Sequence, residues 1–258
     1  NTAVGYQALS GVTTGGFNTA VGTAALRNNV TGANNVAVGR DCLIAATSGG
    51  NTGVGFHALN DLTSGDACTA VGYAALESVT TGVRNEGLGS SVMLSLTTGN
   101  DNIAIGRQAF PNLTTGSGNI GLGNIGIVSQ LFNVTTESDR VIIGHNNVTN
   151  IYQKVASTVT SDERDKIDFD IVPHGLDFVN KLKAKSFWFR RDRDSDVKDG
   201  CQHYGFVAQD ILALEGDNPV IIDTEEEHHL KYKGEHLVPI LVNAIQELSA
   251  QVTALKLG

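Results

Sequence analysis

The sequence predicts a mainly β fibrous homotrimer. It reads as a shaft or roll of 17-residue β-repeats, then an α+β domain ending in a long helix that forms a trimeric bundle or coiled coil. Three observations carry this expectation. Glycine recurs at a fixed spacing through the first half, the composition changes near residue 160, and an apolar heptad closes the chain.

The glycine spacing comes first, because an internal period decides the architecture. Gly5, Gly22, Gly39, Gly55, Gly72, Gly89, Gly106 and Gly123 form one series. Gly15, Gly32, Gly49, Gly65, Gly82, Gly99 and Gly116 form a second with the same spacing. The unit reads N-x-A-V-G-x-x-A-L and then a loop ending in T-T-G or similar. Asn1, Asn18, Asn35, Asn51, Asn85, Asn102 and Asn119 fall four residues before the first glycine. Seventeen residues are too few for a helix pair, and the short V-G and A-L segments, the β-branched residues and the recurring turn glycines suggest two brief strands per unit. A repeat this poor in large side chains suits burial on a narrow axis shared between three chains.

The composition supports a division at residue 160. The first 160 residues hold 24 of the 30 glycines, with 6 Lys+Arg and 8 Asp+Glu. The last 98 hold 12 Lys+Arg, 19 Asp+Glu, Trp188 and five of the nine Phe. The expected segments are a β-repeat shaft or head over 1–127, a last strand and neck over 128–160, and a charged domain over 161–258. The neck takes in the strand-like Val141-Ile-Ile-Gly144. Asn1-Thr-Ala-Val-Gly5 already lies inside a repeat, so a longer parent chain is expected.

Several function classes fall away. A net charge of −9 argues against a nucleic-acid binder. No apolar run approaches the roughly 20 residues of a membrane-spanning helix, so no membrane insertion is expected. Three cysteines give no disulfide framework and no zinc motif, and no cofactor or metal site is expected. Cys42 takes an Ala slot of the repeat and Cys68 an Asn slot, both as small packed residues. Gly121-Leu-Gly-Asn-Ile-Gly126 matches a nucleotide-binding pattern, but Gly123 is simply the repeat glycine. Asn29, Asn112, Asn133 and Asn147 open N-x-T triplets that read as loop composition. No loop stands out as an aromatic platform for stacking a sugar. His228-His229 behind Glu225-Glu-Glu227 reads as a solvated acidic loop, because adjacent strand residues face opposite ways. His203 reads as structural, and Arg190-Arg-Asp-Arg193 as a charged loop balanced by its aspartates.

Chemistry concentrates after the boundary. Ser161-Asp-Glu-Arg-Asp-Lys166 passes, by itself, for an ordinary N-cap region. A hydroxyl becomes a nucleophile when a base takes its proton. Lys166, five residues on, is spaced to fold back toward Ser161 and would act as that base in its neutral form, which burial favours. Ser161 Oγ reaches the Thr160 carbonyl carbon through a five-membered ring. Backbone N–H groups or Arg164 are candidate oxyanion donors. Asp162, Glu163 and Asp165 are candidates to orient Lys166 or hold Arg164, and the sequence does not rank them.

At the end of the chain, Val238, Leu241, Ile245, Leu248, Val252 and Leu255 step by 3, 4, 3, 4 and 3. That is the seam of a helical bundle, with Pro239 suited to a first helical turn. An amphipathic helix lying on its own domain's core is the competing reading.

Two resemblances gather these features. The repeats resemble the head repeats of trimeric autotransporter adhesins and similar repeats of phage tail fibres. The motif S-D-E-R-x-K resembles the signature of the peptidase S74, or endosialidase-type, intramolecular chaperone domain of phage tailspikes and fibres. So do the stretch Gly175–Phe189, Tyr204-Gly-Phe-Val-Ala-Gln-Asp210, Leu230-Lys-Tyr-Lys and the closing Leu237–Leu248 helix. The resemblance implies a self-cleaving serine endopeptidase. Ser161 would be its nucleophile and Lys166 its base, cutting once between Thr160 and Ser161 after trimer assembly. It also implies a virion appendage assembled in the host cytoplasm, with a host cell-surface receptor, a glycan among the candidates. The rival is a non-cleaving trimeric adhesin whose last domain stays attached as a receptor-binding tip. A polysaccharide depolymerase lacks its paired carboxylates in these repeats.

Overall fold

The computed structural model describes residues 1–123, 134–144, 161–190, 196–225 and 230–257. The chain divides into two compact units, Asn1–Asn150 and Ile151–Gly258.

The first unit is a β-solenoid with one repeat per turn. Its strands are β1 (Thr2–Val4), β2 (Thr19–Val21), β3 (Val36–Val38), β4 (Thr52–Val54), β5 (Thr69–Val71), β6 (Glu86–Leu88), β7 (Ile103–Ile105), β8 (Ile120–Leu122) and β9 (Val141–Ile143). They pair in sequence order as one parallel sheet. Ala3 lies on Ala20, Ala20 on Ala37 and Ala37 on Gly53. The final step, Ile120 onto Val141, spans a longer stretch of chain than the others.

Two expectations change here. Each turn carries one strand among the described residues, not two. The A-L segment, expected as a second strand, is a corner whose long residue takes left-handed backbone: φ is 53° at Leu9, 50° at Leu26, 51° at Leu43, 52° at Leu59 and 54° at Leu76. Such conformations cost on the order of 1 kcal/mol each and persist only where surroundings enforce them. The enforcement is a hydrogen bond to the next turn. The amides of Leu9, Leu26, Leu43 and Leu59 donate to the carbonyls of Ala25, Cys42, Ala58 and Ala75, each at 3.0 Å.

The second change concerns the core, which each chain builds for itself. From β2 to β8 only the central residue of each short strand is buried, and it is Ala or Gly. That leaves room for Leu26, Leu43, Leu59, Leu76, Met93 and Phe110 from the corner, all essentially without solvent exposure. Volumes compensate across the turn. Where Phe110 replaces the usual Leu, the strand centre is Gly121, and a Cβ there would lie 2.6 Å from the Phe110 ring. The repeat glycines face the same constraint from backbone: a Cβ on Gly5 (φ 133°) would lie 2.6 Å from the Gly22 carbonyl oxygen.

Polar columns run beside the apolar one. The repeat asparagines from Asn18 to Asn119 are buried. Asn18 N donates to Asn1 Oδ1 (2.8 Å), Asn35 N to Asn18 Oδ1 (2.9 Å), Asn51 N to Asn35 Oδ1 (2.9 Å) and Asn119 N to Asn102 Oδ1 (3.0 Å). Each side-chain amide then donates to a loop carbonyl, as Asn18 does to Gly32 (2.8 Å) and Asn85 to Gly99 (2.8 Å). Cys68 substitutes in this column: its amide donates to Asn51 Oδ1 (2.9 Å) and its thiol to the Gly82 carbonyl (3.3 Å). A threonine column (Thr47, Thr63, Thr80, Thr97) donates amide and hydroxyl alike to the carbonyl of the next turn.

The second unit is α+β. Helix α1 (Leu176–Val179) precedes the antiparallel pair β10 (Lys185–Arg190) and β11 (Lys198–Gly205). Helix α2 (Ala208–Glu215), the short pair β12 (Ile222–Asp223) and β13 (Lys231–Tyr232), and helix α3 (Leu237–Leu257) complete it. Phe178, Ile211, Ile221, Ile222, Leu237 and Ile240 form its core. Helix α3 buries Leu237, Ile240 and Ala244 inside the unit. The predicted heptad lies on other faces, from 39% exposed at Leu241 to 82% at Leu255.

Removing one rung of the asparagine column should be expensive. Asn85→Ala strands the buried Asn102 amide and the Gly99 carbonyl, at about 2–5 kcal/mol for two unsatisfied groups. Thermal unfolding followed by circular dichroism should show a clear fall, whereas Cys68→Asn should leave the midpoint unchanged or raise it.

The thiols should separate by reactivity. Burial pushes the Cys42 thiol up to about 12 and also raises Cys68, while Cys201 is exposed. Titration with a thiol reagent near pH 8 should find one reactive group per native chain and three after denaturation.

Candidate functional site

The motif after the composition boundary folds as a single tight turn. Asp162 is its N-cap (φ −69°, ψ 137°), Glu163–Asp165 form a 3-10 turn, and Lys166 leaves it extended. The Asp162 carboxylate accepts from the Arg164 amide at 2.9 Å, which serves a first-turn N–H that lacks an intrahelical partner. The Lys166 amide closes the turn on the Glu163 carbonyl at 3.1 Å. Chain reversal over these residues brings the Lys166 ammonium back onto Ser161. Lys166 Nζ donates to Ser161 Oγ at 2.7 Å and lies 3.4 Å from the Ser161 carbonyl oxygen. Both residues are exposed.

The sequence left the roles of the charged residues between them open, and the geometry ranks two of them. Arg164 grips Asp162, with Nε on Oδ1 at 3.0 Å and Nη2 on Oδ2 at 2.5 Å. Arg164 is thereby directed to Asp162 and not to the Ser161 carbonyl. Glu163 contributes backbone to the turn, and its side chain is exposed. Thr160 lies outside the described residues, as do His228, His229 and Arg191–Arg193. Of the N-x-T asparagines, Asn29 is buried inside the solenoid, and Asn133 and Asn147 lie outside the described residues.

Chemically, the pair is a hydroxyl in direct contact with an amine. While charged, the amine donates to Oγ. Once it has lost a proton the same contact reverses, the Ser161 O–H donates, and the amine can take that proton.

Other residues that hold this unit together escaped sequence reasoning. Asn243 Nδ2 on α3 donates to the carbonyls of Val172 (3.1 Å) and His174 (3.2 Å). Glu247 Oε2, one helical turn further on, accepts from the Leu176 amide at 2.8 Å and so caps α1. Together they pin 172–176 to α3. The only signal in the sequence is a polar i,i+4 pair on a helix otherwise read for its apolar seam. Glu215 accepts three backbone amides, from Val220, Ile221 and Ile222, at 2.6 to 3.0 Å. His203 packs on Phe187 and Phe189, with centroids at 5.9 and 5.0 Å.

Among the described residues no cluster of His, Cys, Asp or Glu is arranged to hold a metal ion, and no helix is long and apolar enough to cross a membrane. Residues 161–218 match the family model described as chaperone of endosialidase, peptidase S74. The match begins at Ser161 itself. No curated protein matches the chain, and no solved structure does.

The Asp162 contact has a pH signature. The Arg164 guanidinium and amide hold the Asp162 carboxyl below the ordinary carboxylate range. A depressed value means the contact favours the folded turn above the ordinary pKa of about 3.9 and is lost as pH falls through the lower, folded one. An NMR titration of the Arg164 amide should show a midpoint below that ordinary value, and Asp162→Asn should abolish the transition.

Proposed function

We propose that residues 161–258 are an intramolecular chaperone of a phage tail fibre or related appendage. It trimerises the chain, directs folding of the solenoid and then releases itself by cutting between Thr160 and Ser161. The observation that carries the reading is the 2.7 Å contact between Lys166 Nζ and Ser161 Oγ, in a segment that matches the peptidase S74 family from its first residue.

The chemistry balances within one chain and one water. Neutral Lys166 takes the Ser161 hydroxyl proton as Oγ attacks the Thr160 carbonyl carbon. The tetrahedral intermediate collapses with cleavage of the C–N bond, and Lys166 returns the proton to the leaving Ser161 nitrogen. Water then hydrolyses the ester, giving a Thr160 carboxylate and restoring the Ser161 hydroxyl. Each chain turns over once. Exposure of both groups in a single chain fits a reaction that waits for assembly, because burial by neighbouring chains favours the uncharged amine.

Trimerisation is assigned to α3. Its heptad residues are exposed while a different face fills the unit's own core, so one helix serves two sets of partners. Under this reading the solenoid is the trimeric shaft or tip, and a host cell-surface receptor is its partner.

Denaturing electrophoresis of the wild-type protein should show two bands, and N-terminal sequencing of the smaller should read Ser-Asp-Glu-Arg. Ser161→Ala should stay full length and still sediment as a trimer. Lys166→Ala should cleave at least about a hundredfold more slowly, on the scale of a lost general base. Lys166→Arg should fail as well, since a guanidinium does not give up its proton. A wild-type protein that trimerises but never cleaves would replace this reading with the attached-tip adhesin. Ile245→Asp with Leu248→Asp should leave a monomer in sedimentation.

A further inference from the structure

The solenoid stacks side chains as well as backbone, and one column does something the sequence did not suggest. The residues following the repeat glycines are Tyr6, Thr23, Arg40, Phe56, Tyr73, Ser90 and Arg107. Hydrogen bonds keep them in register: the Tyr73 carbonyl accepts from the Ser91 amide at 2.8 Å and the Ser90 carbonyl from Gln108 at 2.9 Å. Phe56 and Tyr73 stack across one turn, with centroids 5.3 Å apart and planes 14° apart. No single loop carries an aromatic platform in the sequence, but turn spacing brings two rings 17 positions apart face to face.

The stack stops abruptly. Phe56 covers one face of Tyr73, so the other looks along the column toward Ser90, whose side chain is too short to fill its rung. Arg107 lies on the far side, two turns from Tyr73 or about 9.6 Å at the usual strand spacing. Tyr73 and Arg107 are both exposed. A six-membered ring in the vacant rung would stand one turn from each neighbour, close to the separation at which Phe56 and Tyr73 already stack. A pyranose presents C–H groups from its face to an aromatic ring, a hydroxyl floor suits its polar edge, and a guanidinium matches a carboxylate bidentately. Tyr6, Thr23 and Arg40 repeat the pattern four turns earlier. There, however, Arg40 is already engaged: its guanidinium sits 4.9 Å over the Phe56 ring and its Nε donates to Asp41 at 2.9 Å. The first 160 residues carry only two net negative charges, from 6 Lys+Arg against 8 Asp+Glu, so this unit does not broadly repel an acidic sugar.

We infer that Tyr73, Ser90 and Arg107 form a subsite for a carboxylated pyranose, stacked on Tyr73 over Ser90 with its carboxylate on Arg107. The site lies wholly within the solenoid and does not depend on cleavage by the second unit.

The test uses the full chain, titrated by calorimetry at low salt with a galacturonate trisaccharide and with its neutral galactose counterpart. Wild-type protein should bind the acidic sugar more tightly. Tyr73→Ala should weaken both at least tenfold. Ser90→Trp, which fills the rung and leaves Tyr73 and Arg107 unsubstituted, should do the same. Arg107→Gln should erase the preference for the acid. Circular dichroism and sedimentation of each variant separate loss of the site from loss of fold or assembly. The inference is overturned if wild-type protein binds neither sugar up to about 10 mM, if it shows no preference between them, or if a folded Tyr73→Ala binds as wild type does.

Discussion

The buried asparagine column is the constraint on which the rest of the first unit depends. A three-residue strand leaves most of each turn outside sheet pairing, so most backbone donors and acceptors need other partners. The asparagine supplies two at once: its carbonyl takes an amide of the next turn and its amide takes a loop carbonyl. With those ends tied, the corner can sit in left-handed backbone and aim its long side chain inward. Without them, every turn would hold buried polar groups with no partner, at a cost comparable to the burial that Leu26 or Leu43 contributes. Cys68 shows what the position demands. A thiol is a weaker donor than an amide, yet the Cys68 thiol still reaches the Gly82 loop carbonyl while the Cys68 backbone amide takes the Asn51 side-chain oxygen.

The consequence is stability organised turn by turn. Each rung touches the one above and the one below, the arrangement of a linear array in which neighbour terms dominate. Connectivity settles which turn follows which within a chain. Between parallel chains it settles nothing, because a shift of one turn presents nearly the same backbone. Features that distinguish turns are side chains and one loop: the long step onto β9, the Phe110–Gly121 exchange, Cys68 and the varied exposed column from Tyr6 to Arg107. Under the proposed trimer, stagger must be fixed by something that does not repeat.

How much of this was legible in the sequence follows from what repeats and what does not. The glycine and asparagine columns gave the period and one turn per unit. The same period concealed the strand count, since a corner residue such as Leu43 is as apolar and regularly spaced as a strand residue. Its left-handed φ is imposed by the next turn, which local pattern does not report. A single-chain core was missed for a related reason: Leu26 and its equivalents looked too few until the Ala and Gly strand centres opposite them were counted as space. At the site, the spacing of Ser161 and Lys166 anticipated their meeting. The clasp of Arg164 on Asp162 was one of several pairings the charges allowed, and only the 3-10 turn selects it. Asn243 and Glu247 were not legible because their partners are backbone groups about 70 residues away.

Helix α3 is where the two kinds of information meet. Its inward face is set by tertiary packing, with Leu237, Ile240 and Ala244 in the unit's core and Asn243 and Glu247 clamping the chain before α1. Its seam is set by sequence period alone and stays uncovered in one chain. A helix whose two faces have separate partners can be held rigid by its own unit before it meets a second copy, which lowers the ordering cost of assembly. Its six seam residues alternate Val or Ile with Leu over a short helix, so a shift by one heptad leaves two of the six without a partner. Under the proposed trimer, this short helix would carry the register information that a long solenoid lacks. Under that reading covalent linkage would matter only while the register is being set, and a cut at Ser161 afterwards would remove the nucleus without disturbing turn-to-turn bonds already made.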